Sequence, residues 1–283
     1  MWLRHTLREH WKVVSMTRIR PPALAGTFYP ADPEALARTV DGLLAAARPP
    51  QATGTPTRPP VAVIAPHAGY VYSGPVAATA YALVRPWAAQ IRRVVLVGVP
   101  HRAPVRGLAL SSAAAWATPL GHVEVDTEAC AAMATLPGVV VDDRADAEEH
   151  SLEVHVPFLQ RSLDGGWQLV PVIAGGNGTA QIADALTPWW GKEDTLVVVS
   201  TDLSHYHPLH EARAIDLATA EAVVALQWEG LGGEQACGVS GVRAAMELCL
   251  RHGQRVRLLD LRTSGDTAGP EDRVVGYGSF EIR

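Results

Sequence analysis

Long apolar runs are missing from this 283-residue chain. The longest, VVLVGV at 94–99 and LVVV at 196–199, fall far short of the ~20 residues that span a bilayer, so no membrane-spanning helix is expected. Cysteine is nearly missing. Three residues, Cys130, Cys237 and Cys249, are too few and too odd for a disulfide framework and point to the reducing cytoplasm. A basic excess is missing as well: 24 Lys and Arg face 29 Asp and Glu, a net charge of −5, which leaves no electrostatic footprint for a nucleic acid. The opening MWLRHTLREHWKVVSMTRIR is basic but lacks an unbroken apolar core, so it does not read as a signal peptide. Residues 1–17 are expected to be a flexible or disordered extension, with Met16 an alternative start. GGNG at 175–178 has neither the Walker lysine nor dinucleotide spacing and reads as a turn. No strand–Ser–helix elbow appears, which sets aside a Ser/His/Asp hydrolase.

What is present describes a folded protein, with 48% hydrophobic and 19% charged residues. Apolar, β-branched strings at 61–65, 94–99, 168–174, 195–200 and 256–261 suit strands buried on both faces. Between them lie helix candidates. Asp32-Pro33 supplies a cap and a first-turn proline for a helix to about Ala47, and others fall at 75–84, 127–135, 151–162, 179–189, 211–227 and 240–252. The alternation predicts an α/β fold: a mostly parallel central sheet flanked by helices, in one domain over 18–283. PPQATGTPTRPP at 49–60 reads as a surface linker within it.

The chemistry collects where strands end. His67 follows the first predicted core strand, His101 follows VVLVGV, and Asp202 and His205 follow LVVVS. Ligands of open α/β sheets bind beyond the carboxyl ends of the strands, so three strands deliver imidazoles and a carboxylate to one edge. One such histidine is ordinarily structural; three together predict a metal site, since neutral imidazole ligates Zn, Fe, Cu or Ni. Cys237, in the loop before the last helix, is expected to gain thiolate character from that helix N-terminus, whereas Cys130 and Cys249 sit in apolar helices as core residues. In EEHSLEVHVPFLQ (148–160) Ser151 is the expected cap and Leu152, Val156 and Leu159 the buried stripe. His150 then stands at the helix mouth facing the crevice, while Glu153 and His155 point elsewhere, His155 to the surface or an interface. His122, His207, His210 and His252 read as ordinary.

Seven ordered motifs, RPPALAGTFYPADPEAL, APHAGYVYSG, GVPHR, EEHSLEVHVPFLQ, STDLSHY, ACG and SGDTAG-x5-VGYGS, together resemble the Memo family, the proteins labelled in prokaryotes AmmeMemoRadiSam system protein B. That family is similar in fold to class III extradiol (protocatechuate-type) dioxygenases, Fe(II) enzymes that open catechol-type rings with O2. The resemblance implies that His67, His101 and Cys237 ligate a metal, that His205 is a catalytic acid/base beside its carboxylate neighbour Asp202, and that Tyr72, Phe28 and Tyr29 line the pocket with His150.

The implied function is a mononuclear non-haem Fe(II) enzyme, with Cu or Zn as other ions such a site accepts and O2 as co-substrate, that oxidises or cleaves a small hydroxylated aromatic or heteroaromatic (catechol- or pyridine-type) ring. A non-catalytic module that binds a peptide or small ligand, and a copper-binding redox protein, are the alternatives. Neither a nucleic acid nor a membrane is an expected partner.

Overall fold

The computed structural model describes residues 18–50, 56–176 and 178–283. The expected extension at 1–17, the middle of the 49–60 linker and Asn177 of the GGNG turn lie outside the described residues. In chain order the elements are β1 (Ile19–Arg20), α1 (Pro33–Ala46), β2 (Ala62–Ala65), α2 (Tyr70–Val84), β3 (Arg93–Gly98), β4 (Gly107–Leu110), β5 (Ala115–Thr118), β6 (Gly121–Glu124), α3 (Thr127–Met133), β7 (Val139–Val141), α4 (His150–Glu153), α5 (His155–Ser162), β8 (Gln168–Gly175), α6 (Thr179–Leu186), β9 (Thr195–Ser200), β10 (His205–His207), α7 (Leu209–Val224), α8 (Val239–Arg251), β11 (Val256–Thr263) and β12 (Val274–Ile282).

The main sheet runs β10-β12-β2-β9-β3-β8-β4-β7, with β11 on the other side of β12. Its centre, β2-β9-β3-β8, is parallel. Towards the margins the direction reverses: β12 is antiparallel to β2, β10 and β11, and β4 is antiparallel to β8, while the outermost pair β4–β7 is parallel. The sheet is mixed as a whole, with the expected parallel arrangement at its centre. Every residue of β2 and β9 is buried, because helices cover both faces of the parallel centre and unbroken apolar strings are needed there. α6 and α8 pack on each other and α8 on β8 and β9, while α2 packs against β2, β11 and β12 and is backed by α1. A separate sheet, β1-β5-β6, carries Arg20.

α1 forms as its sequence predicts: the Asp32 side chain accepts from the Ala35 N–H, and Leu36, Val40 and Leu44 are buried. The helix predicted over 151–162 is instead interrupted at Val154. Its cap is not Ser151 but Glu149, whose carboxylate accepts from the Ser151 N–H. Ser151 is buried against β3, its hydroxyl donating to the Val99 carbonyl at 2.8 Å. Such closeness requires a glycine at the end of β3, since a Cβ on Gly98 would stand 2.6 Å from the Ser151 Oγ. The carboxyl ends of β2, β9 and β3 thus lie side by side, with the start of α4 pressed onto them.

Candidate metal centre

Two residues beyond β2 the chain reaches His67, three beyond β3 it reaches His101, and Cys237 closes the loop leading into α8. One donor atom from each of these three lies within 4.8 Å of the other two. The His67 Nε2 and the Cys237 Sγ are 3.3 Å apart, and the His67 and His101 rings meet edge to face at 5.2 Å. Gly238 makes this possible: a Cβ there would come 2.3 Å from the Ser200 carbonyl oxygen, so only glycine lets the loop settle onto the end of β9.

The two histidines are held from behind. His101 Nδ1 is 2.8 Å from Glu149 Oε1, and the His101 backbone N–H donates to Oε2 at 2.5 Å. Glu149 is fully buried. Burial alone would raise its pKa, but hydrogen bonds from the His101 side chain and from the Ser151 and His101 backbone win and hold it down to about 2. An ionised carboxylate only accepts, so His101 carries its proton on Nδ1 and presents a bare Nε2. His67, 1% exposed, has its Nδ1 2.5 Å from Ser200 Oγ, and its backbone N–H donates to Asp202 Oδ1 at 2.7 Å.

Burial dominates the electrostatics. It drives the His67 pKa well below the usual imidazole range, helped by the neighbouring His150 and His101, and takes His150 to about 4, again with His101 adding to the effect. Burial also pushes the Cys237 thiol up to about 12, with the Asp202 charge adding to it. The sequence argument for a thiolate stabilised by the helix N-terminus is therefore corrected: desolvation outweighs hydrogen bonds from the Asp202 and Gly238 backbone, and only a bound cation would ionise this sulfur. Asp202 is raised to about 7 by burial. Its Oδ1 is taken by the His67 backbone, while burial lowers the pKa of His205.

A cleft of about 520 Å³ opens over His67 and His101, and Phe28, Tyr72, His150, Asp202, His205 and Tyr277 help line it, with Cys237 behind its wall. His150 stacks on His101 at 4.3 Å and leans on Phe28 at 4.8 Å. At the rim a bulge between His205 and His207 turns Tyr206 outward at φ 63°, where Arg273 sits 5.1 Å over its ring.

Two expectations fail here. Tyr29 is not a wall of this cleft: its ring is buried and its hydroxyl donates to Glu153 Oε1 at 2.5 Å, leaving it beside a neighbouring depression shared with Phe28. His155 is not a surface residue. The break at Val154 shifts the helical phase, so His155 is fully buried, bonded through Nδ1 to the Tyr81 hydroxyl and through Nε2 to Ser200.

A family model described as Memo-like protein matches residues 20–281. The chain belongs to the Memo family. It is similar to proteins described as MEMO1 family protein from Methanothermobacter thermautotrophicus (37% identical, covering 92% of this chain and 98% of the relative), Methanopyrus kandleri (35%, 93% and 99%) and Aquifex aeolicus (35%, 92% and 97%). In this Memo-family chain much of the motif content is scaffolding. Glu153, buried, accepts from Arg20 Nη1, Tyr29 Oη and the Ala23 and Leu24 N–H groups; Arg20 also donates to the Asp146 and Glu149 carbonyls and stacks on Trp116 at 4.2 Å. The residues sequence reasoning passed over are Glu149 and Ser200. The acid directly before His150 was the available signal for the first; nothing local announces the second.

Proposed function

We propose that this chain is a mononuclear metal-dependent oxidoreductase. His67, His101 and Cys237 would hold Fe(II), and a small hydroxylated aromatic or heteroaromatic ring would be oxidised or cleaved with O2. The observation that carries the reading is the convergence of three donor atoms, one sulfur and two imidazoles. The donor set fits an ion: ligands at ~2.1 Å (N) and ~2.3 Å (S) from one centre stand roughly 3.1–3.6 Å apart for angles of about 90–109°, and the His67 Nε2–Cys237 Sγ separation is 3.3 Å. Bound iron would supply electron exchange with O2 and a Lewis-acid seat for the substrate hydroxyl.

The chain's own residues do the rest. Cys237 would hold the ion as a thiolate, releasing its thiol proton to solvent, so uptake would be proton-coupled. Phe28, Tyr72 and Tyr277 wall the ring and exclude water. His205, lining the cleft with a lowered pKa, is neutral at pH 7 and takes the substrate hydroxyl proton on its unprotonated ring nitrogen.

Anaerobic titration of the purified chain tests this. One Fe(II) per chain is expected, lost in His67→Ala and Cys237→Ser, with oxygen uptake on a catechol and hydroxypyridine panel. His205→Gln should keep the iron and lose turnover by 10²-fold or more. Peptide binding by metal-free protein, without oxygen uptake on any substrate, would replace the proposal with a binding module; tight copper under reducing conditions would replace it with a redox protein.

A further inference from the structure

Behind His67 lies a row of buried polar groups that the proposed reaction leaves unused. The Tyr81 hydroxyl is 2.8 Å from His155 Nδ1, His155 Nε2 is 2.9 Å from Ser200 Oγ, and Ser200 Oγ is 2.5 Å from His67 Nδ1. The same Ser200 Oγ stands 2.5 Å from the Ser151 backbone carbonyl. Tyr81 and His155 are fully buried, and Ser200 and His67 are each 1% exposed, so water does not complete these groups.

Counting protons leaves one arrangement. The Ser151 carbonyl only accepts, and at 2.5 Å it faces either the Ser200 proton or a repelling lone pair. Ser200 has a single proton, so it donates to Ser151. Its remaining capacity is two lone pairs, and its two remaining neighbours are ring nitrogens. Both must therefore donate: His155 through Nε2–H and His67 through Nδ1–H. A neutral His155 with Nε2 protonated has an accepting Nδ1, which takes the Tyr81 proton. Each of the four groups is satisfied, and no alternative leaves fewer than one buried polar atom unpaired.

We propose that Ser200, backed by His155 and Tyr81, is the positioning residue that commits His67 to the Nδ1–H form, so that its bare Nε2 faces Cys237 and the cleft before any ion arrives. The inference rests on the metal-centre reading for its purpose, but the proton arrangement belongs to the metal-free chain. It assigns complementary devices to the two imidazoles: a carboxylate behind His101, a neutral hydroxyl with a buried aromatic tail behind His67. A neutral hydroxyl adds no charge to the site, so the donor set keeps a single anionic ligand, the Cys237 thiolate. The break at Val154 serves this device, because residues 151 to 155 supply both the carbonyl that takes the Ser200 proton and the imidazole that donates to Ser200.

Glutamine separates this role from mere space filling. Its amide oxygen and nitrogen are spaced like the two ring nitrogens of histidine, so at position 155 it would accept from Tyr81 and donate to Ser200, whereas leucine does neither.

The experiment is nitrogen NMR of histidine-labelled, metal-free protein at pH 7, with zinc affinity measured by competition against a chromophoric chelator. In the wild type, His67 is expected as one form with Nδ1 protonated and Nε2 bare. Ser200→Ala should give His67 a mixture of both forms and weaken zinc by roughly 10–100-fold. His155→Gln should preserve the wild-type signal and affinity, and His155→Leu should resemble Ser200→Ala; these two keep the test open if the alanine variant fails to fold. A wild-type His67 protonated on Nε2, or unchanged His67 signals in both Ser200→Ala and His155→Leu, would overturn the assignment. Wild-type protein that shows the assigned form yet binds no metal sinks the proposed function and leaves the positioning of the proton standing.

Discussion

Glu149 is the residue on which His101 depends most directly, since it meets both the ring and the backbone of that histidine. Glu149→Gln keeps the shape but offers a neutral partner, so metal affinity measured by chelator competition should fall about 10–100-fold with little change in fold; unchanged affinity would mean that His101 is not a ligand. His155 makes a prediction in pH. Its pKa is driven to about 3 by burial, with His150 adding to the effect, against 6.5 in an unfolded chain. The unfolded state therefore binds a proton that the folded state refuses, and stability is lost as pH falls below 6.5 towards 3. The loss reaches about 2 kcal/mol at pH 5. Urea unfolding at pH 7 and pH 5 should show the wild type losing that much more than His155→Gln; parallel losses would remove the assignment. At this scale His67, His101, Asp202 and His205 were legible because a parallel strand hands its next residues to one edge. Ser200 and Glu149 were not, because their roles come from partners 133 and 48 positions away.

Among the elements, the loop from Ala236 to Gly238 is the least forgiving. Cys237 is gripped on both sides of its peptide, its N–H donating to the Asp202 carbonyl at 3.2 Å and its sulfur accepting from the Asp202 N–H at 3.3 Å. Gly238→Ala would force a methyl into the Ser200 carbonyl and lift the loop from β9. The variant is expected to remain folded by circular dichroism, with a lowered melting temperature and metal loss like that of Cys237→Ser; full metal retention would show that the loop has slack. Most helices were legible from periodicity and caps. The α4–α5 interruption was not, because a 12-residue apolar stripe reads the same whether continuous or broken, and the break is imposed by the packing of Ser151 and Leu152 against Gly98. β12 was missed for the opposite reason. Gly276 and Gly278 interrupt its apolar run, and Gly276 lies so close to Asp216 that any Cβ would collide with the carboxylate.

For the whole molecule, the Arg20–Glu153 pair ties the start of the described chain to the helix that carries the site. Removing one partner strands a buried charge, so Arg20→Met should cost about 3–5 kcal/mol in chemical denaturation. Adding Glu153→Gln to it should recover part of that loss; a cost within error of zero for the single change would show that the segment before α1 is dispensable. The sheet's parallel centre was legible, as was β11; β4, β7 and β10 were not, since strands of three or four residues carry little pattern of their own.

The three donor atoms come from positions 67, 101 and 237, and the groups that orient them from 149 to 155 and 200, so no short stretch of chain holds even a partial site. In kinetic language, closing those loops must precede any ion capture. An ion held as proposed would then contribute nothing to the folding nucleus and would act only on the finished state. Refolding with a chelator present should run at the same rate as refolding with metal, while unfolding of the loaded protein slows in proportion to the binding strength.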